Sequence, residues 1–232
     1  MSTVLAIAAC SGDSATEPSE SNAPTTYSGV FATFNESGSI TLVTGNPATG
    51  TLVGASAAAL AQENGSTASL AAGASVALTG TYNAGTSTFS LTGGGYAVQA
   101  SIDASAQVTG TIATPSAPTG GSVVALSAAS ATSRKTYCGK FSQTNQKAGQ
   151  TPETGTLNVA INNTVIRGTA IQTGGDGAGP EAIVLSGTYT NSTINVSWNS
   201  GYGTATGVFN PNPVGTFQNQ DGISGVWFAN PC

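Results

Sequence analysis

The segment Leu78-Thr79-Gly80-Thr81-Tyr82 returns, almost unchanged, as Leu185-Ser186-Gly187-Thr188-Tyr189. Its surroundings return with it. Tyr27-Ser28-Gly29-Val30-Phe31 answers to Tyr137-Cys138-Gly139-Lys140-Phe141, and Gly95-Tyr96 answers to Gly201-Tyr202. The six tyrosines form three such pairs, separated by 110 (137 − 27), 107 (189 − 82) and 106 (202 − 96) positions. So constant an offset means that one unit of about 100 residues, an ordinary domain size, was copied with small insertions. Any fold proposed for one half must therefore suit the other.

Within each copy the hydrophobic pattern has period two. Val76, Leu78, Gly80 and Tyr82 fall on one face, with Ala77, Thr79 and Thr81 on the other. In the second copy Ile183, Leu185, Gly187 and Tyr189 oppose Val184, Ser186 and Thr188. Gly, Asn and Pro interrupt the alternation every 8–12 residues or so, the signature of short antiparallel strands. Eight candidate strands result per copy. One apolar and one hydroxyl-rich row per strand implies a sheet with one dry and one wet face. A glycine in the dry row implies tight curvature or a ring packed over it. Eight meandering strands can close into a barrel, which removes the sheet edges. A two-sheet sandwich explains the alternation equally well, but most gaps are too short for its crossovers. The exception is the Ala-rich insertion Ser56 to Gly73. The expected fold class is all-β: two tandem, antiparallel, up-and-down barrel-like domains.

Composition narrows the function classes. Only 6% of residues are charged, against about 25% in an ordinary globular chain. The apolar fraction is nevertheless 39% and it alternates, so a packed core is expected. The net charge is −5, with five basic residues, Arg134, Lys135, Lys140, Lys147 and Arg167. That excludes the basic footprint a nucleic-acid binder needs. Histidine is absent, which removes the commonest general acid–base residue and transition-metal ligand. No metal or cofactor site is expected.

Val4-Leu5-Ala6-Ile7-Ala8-Ala9-Cys10 resembles the end of a bacterial lipoprotein signal peptide, although the basic n-region is missing. In such proteins the cysteine is lipidated and becomes the first mature residue. The resemblance implies export and a membrane anchor at Cys10. Residues 1–10 then form the signal-like segment, and 11–26 a tether rich in disorder-promoting residues. The first β domain spans 27–127, a linker 128–136 and the second β domain 137–232. Cys138 lies in the first strand of the second copy and Cys232 beyond its last. These strands are neighbours in a closed barrel, so a disulfide between them is expected.

The carboxylates Glu36, Glu63, Asp103, Glu153, Asp176, Glu181 and Asp221 mostly fall in turns, and none recurs at a matching position along the chain. Gly174 to Glu181 has the look of a calcium-binding turn, but one such turn supplies too few oxygens for calcium. Lys140 and Lys147 carry no supporting motif for a Ser-Lys dyad. The aromatics remain. Tyr82, Tyr96, Tyr189, Trp198, Tyr202 and Trp227 are the candidate ligand-binding residues, since a ring with a polar tip suits small-molecule or sugar contact. Barrel packing is the competing role for each.

Leu78-Thr79-Gly80-Thr81-Tyr82 is also similar to a strand of the avidin family of biotin-binding barrels. The rhythm of Gly29-Val30-Phe31, Gly38-Ser39-Ile40-Thr41-Leu42-Val43 and Gly50-Thr51-Leu52-Val53-Gly54 matches that family's first three strands. The resemblance implies an eight-stranded meander. Phe31 and Phe141 stand where that family has tryptophan, so it implies the shape without the biotin. The expected role is a lipid-anchored, non-enzymatic binding or surface module of the cell envelope, with a small molecule or glycan as ligand. A self-associating filament or coat subunit is the alternative, and a carboxylate-dependent glycan-processing enzyme a further one.

Overall fold

A computed structural model of the protein describes residues 23–55, 71–118, 120–127, 134–146, 149–172, 174–175, 181–209 and 211–232. Cys10 with the signal-like segment, most of the tether, the bulk of the Ser56 to Gly73 insertion, residues 128–133, Lys147 and the Asp176 turn lie outside them.

Two closed barrels of eight strands follow each other along the chain. The first comprises β1 (Thr26–Ala32), β2 (Ser37–Val43), β3 (Ala48–Gly54), β4 (Ser75–Asn83), β5 (Thr88–Gly93), β6 (Tyr96–Ile102), β7 (Gln107–Ala113) and β8 (Gly121–Ser127). The second comprises β9 (Arg134–Gln143), β10 (Thr154–Asn162), β11 (Val165–Gln172), β12 (Glu181–Thr190), β13 (Thr193–Trp198), β14 (Gly203–Phe209), β15 (Pro213–Asn219) and β16 (Ser224–Pro231). Each strand pairs antiparallel with the next, and the last returns to the first: β8 to β1 and β16 to β9. The sixteen expected strands are all present, with ends that differ by a few residues. β9 begins inside the stretch expected to be linker. One turn of 3-10 helix, Asn199–Gly201, joins β13 to β14.

The turns follow their residues. Asn191 and Ser192 both adopt the left-handed conformation, with φ of 52° and 63°. That is the two-residue hairpin geometry whose twist matches the strands it joins. At the closing seam Gly29 lies opposite Ala125 and Gly139 opposite Ala229. A Cβ at either glycine would sit 1.9 Å from the carbonyl oxygen of Val124 or Phe228. Both barrels therefore close through the same glycine–alanine contact. The repeated Gly80 and Gly187 serve the same purpose: a Cβ there would meet the carbonyl of Ser90 or Asn195 at 2.0 Å. Tight strand approach, not a stacked ring, explains these two. Rings do cover others, since Trp198 lies on Gly203, and Trp227 on Gly207 and Gly215.

Two separate cores fill the barrels. Phe31, Leu42, Leu52, Phe89 and Ile112 lie in the first, and Val159, Ile166, Leu185, Ile194 and Trp227 in the second. The expectation of one wet face per sheet fails where the barrels meet. β1 and β8 lie against β10 and β11. Val30, Ala32, Val124 and Leu126 alternate with the inward residues of β1 and β8, yet are buried too. Asn158, Ala160, Thr169 and Ile171 match them from the second barrel. Asn158 is fully buried at this seam; its Nδ2 donates to the Phe31 carbonyl at 2.8 Å and its Oδ1 accepts the Gly139 N–H at 3.3 Å. Asn162 donates to the Ser127 carbonyl, and Arg167 donates to Gln107 and stands 3.8 Å from Asp103.

The expected disulfide joins Cys138 to Cys232, with Cα atoms 4.9 Å apart. Cys138 is buried and packs with Ala55 of the first barrel. Among the described residues no helix is long and apolar enough to cross a membrane.

Candidate functional site

Antiparallel order puts alternate hairpins at the same end of a barrel. In the first barrel one end gathers the β1–β2, β5–β6 and β7–β8 connections. Glu36 comes from the first, Tyr96 from the start of β6 and Ser116 from the last. Glu36 is only 3% exposed. Its carboxylate accepts the Tyr96 hydroxyl at 2.7 Å and the Ser116 hydroxyl at 2.6 Å. Two hydroxyl donors on one buried acid compensate its desolvation, and the three groups tie together three connections at this end.

The equivalent end of the second barrel is built from the same places. Thr33 N–H donates to the Glu36 carbonyl at 2.7 Å, and Gln143 N–H donates to the Glu153 carbonyl at 2.8 Å. Phe31 faces Gly38 in register, as Phe141 faces Gly155. Glu153 therefore occupies the position of Glu36. This corrects the expectation that no carboxylate recurs. Tyr202 takes the place of Tyr96, just before β14 instead of inside it. The connection that carries Ser116 in the first barrel carries Asp221 in the second.

That last exchange changes the chemistry. Serine donates, whereas an ionised aspartate only accepts. The Tyr202 hydroxyl now donates to Asp221, and among the described residues no donor reaches the Glu153 carboxylate in place of the pair that Glu36 holds. Burial raises the Glu153 carboxyl above its ordinary value, and the neighbouring Asp221 raises it further. Tyr202 is raised in turn, first by its bond to Asp221, then by burial and by the charges of Asp221, Glu153 and Glu181.

Beneath this rim lies a cavity of about 260 Å³. Leu157, Ile183, Leu185 and Phe217 form its apolar floor; Trp198, Tyr202, Glu153 and Glu181 stand around its upper part, with Gln172 and Asn219 between them. Among the described residues no basic side chain lines it. Pockets of this kind, apolar with a few convergent polar groups, take small ligands, and this one is at the small end of the usual range.

The raised carboxyl has a consequence for stability. Its folded-state value lies above the unfolded one, so the folded protein holds this proton longer. The contribution is fully present below the ordinary value of 4.5 and is lost as pH rises through the raised value. Thermal unfolding followed from about pH 4 to about pH 7 is expected to show Glu153→Gln gaining relative to the parent as pH rises. An unchanged difference between the two across that range would contradict the assignment.

Of the candidate aromatics, the structure brings Trp198 and Tyr202 to the cavity. Tyr96 bonds Glu36 at the equivalent end of the first barrel. Tyr82 and Tyr189 lie at the far ends, where Tyr82 packs on Phe89 with Tyr27, and Tyr189 on Phe209 with Tyr137. Burial raises the Tyr27 and Tyr137 phenols, with Tyr82 and Tyr189 as the second cause. The tyrosine pairs are thus repeated, but the ring between them comes from β5 in one barrel and β14 in the other. Trp227 is core, 2% exposed, with its N–H shared between the carbonyls of Thr206 and Thr216. Glu153, Glu181 and Asp221 were not singled out by sequence reasoning as ligand-binding residues. Among the described residues no group of three or more His, Cys, Asp or Glu is placed to hold a metal ion.

No protein-family model, curated protein or solved structure matches this chain.

Proposed function

We propose that the protein is an exported, lipid-anchored module of the cell envelope whose second barrel binds a small ligand non-enzymatically, while the first barrel serves as its rigid support. The observation that carries this reading is the contrast between two equivalent mouths. In one, Glu36 is bonded by Tyr96 and Ser116; the other carries a cavity lined by Trp198 and Tyr202. Native mass spectrometry of protein purified from its own envelope tests it directly. A retained small molecule, lost in Trp198→Ala with the fold intact, supports the reading. A ligand-free protein whose melting temperature no envelope extract raises counts against it. The anchor rests on Ile7-Ala8-Ala9-Cys10. Cys10→Ser is expected to abolish fatty-acid labelling and release the protein from the membrane fraction.

A second reading, a subunit of a filament or coat, is favoured by one observation. Val208, Val214 and Val226 stand on the outer wall of β14–β16, each between 43% and 50% exposed. Electron microscopy of the concentrated mature chain decides it, since that reading requires ordered assemblies.

A further inference from the structure

Resting on the small-ligand reading, the geometry points to a primary amine bearing an apolar body as the ligand class of the second barrel. Three independent features specify the two ends of such a molecule. The floor of Leu157, Ile183, Leu185 and Phe217 is apolar, so it takes a hydrocarbon or aromatic part. Glu153 and Glu181 line the cavity, and Asp221 is close enough to act on Glu153. Among the described residues no lysine or arginine lines it to offset them. An anionic headgroup is therefore repelled, and a neutral one leaves these charges uncompensated.

The comparison with the first barrel sharpens the point. There the buried acid has two hydroxyl donors supplied by the chain itself. In the second barrel one donor is exchanged for Asp221, and the tyrosine is turned to that residue. Glu153 is left with the position of Glu36 but without its donors. A ligand can supply such donors. An ammonium group carries three N–H donors and no acceptor, which suits a rim of carboxylates. Trp198 and Tyr202 add aromatic surface, to which a cation is also drawn.

The test uses three probes that share a phenyl body and differ in headgroup: phenethylamine, phenethyl alcohol and hydrocinnamate. Each is titrated calorimetrically into the intact mature protein at neutral pH. Phenethylamine is expected to bind at least about tenfold tighter than the alcohol, with hydrocinnamate weakest. Glu153→Gln is expected to bring the amine-to-alcohol affinity ratio down at least about tenfold, to near one. Asp221→Ser, which restores the donor found in the first barrel, is expected to do the same; its melting temperature confirms folding. Alcohol or hydrocinnamate binding as tightly as the amine overturns the charge assignment and leaves the small-ligand reading standing. Absence of binding by all three also overturns it, and retained ligand in the native spectrum then judges the broader reading separately.

Discussion

Removing the Cys138–Cys232 bond, by reduction or by the double change Cys138→Ala and Cys232→Ala, is expected to lower the unfolding free energy by about 4–5 kcal/mol. The bond spans 94 positions, from the first strand of the second barrel to just past the last. Cross-linking so long a stretch withdraws much of the freedom of the unfolded chain, and the gain grows with the logarithm of the loop. The native partners are already neighbours: Cys138 faces Asn230 in register, and Cys232 N–H donates to the Thr136 carbonyl. Closure of the sheet therefore survives reduction while its margin falls. Denaturant titration with and without reductant measures the difference. A change below about 1 kcal/mol would mean that the reduced, unfolded chain keeps its ends together.

The second large effect is expected at Asn158→Leu. Leucine has a similar volume but offers neither the Nδ2 donor nor the Oδ1 acceptor. The Phe31 carbonyl and the Gly139 N–H each lose a bond inside a dry seam. Each bond lost costs about 0.5–1.5 kcal/mol net, so the pair amounts to about 1–3 kcal/mol. Because one partner belongs to the first barrel and the other to the second, cooperativity changes too. The parent is expected to unfold in one transition and the variant in two, resolved by calorimetry. A single, unshifted transition in the variant would show that Asn158 does not couple the barrels.

Much of this architecture was legible in the residues. Period-two alternation, broken by glycine and asparagine, marks most strands from β1 to β16. The tyrosine pairs fixed which strand answers to which, and the two cysteines lay where a closed sheet would bring them together. The candidate site was only half legible. Glu36 follows Phe31 by five positions, whereas Glu153 follows Phe141 by twelve (36 − 31 and 153 − 141). A longer hairpin hid their equivalence, which appears only once the strand register aligns them. The Ser116-to-Asp221 exchange was hidden likewise, because turn residues carry no periodicity to anchor an alignment. The packing of barrel on barrel did leave a signal. Val123-Val124-Ala125-Leu126 is an unbroken apolar run among alternating strands, the pattern of a strand buried on both faces.

The return of each last strand to its first also limits how copies of this chain can gather. Among the described residues both sheets are fully paired around their circumference, so neither offers an unsatisfied ladder to an incoming segment. Polymerisation by strand exchange, the route open to incomplete sheets, has no acceptor here. An array built through the described strands would have to grow by side-by-side contact of outer walls, and would come apart under conditions that leave each barrel whole.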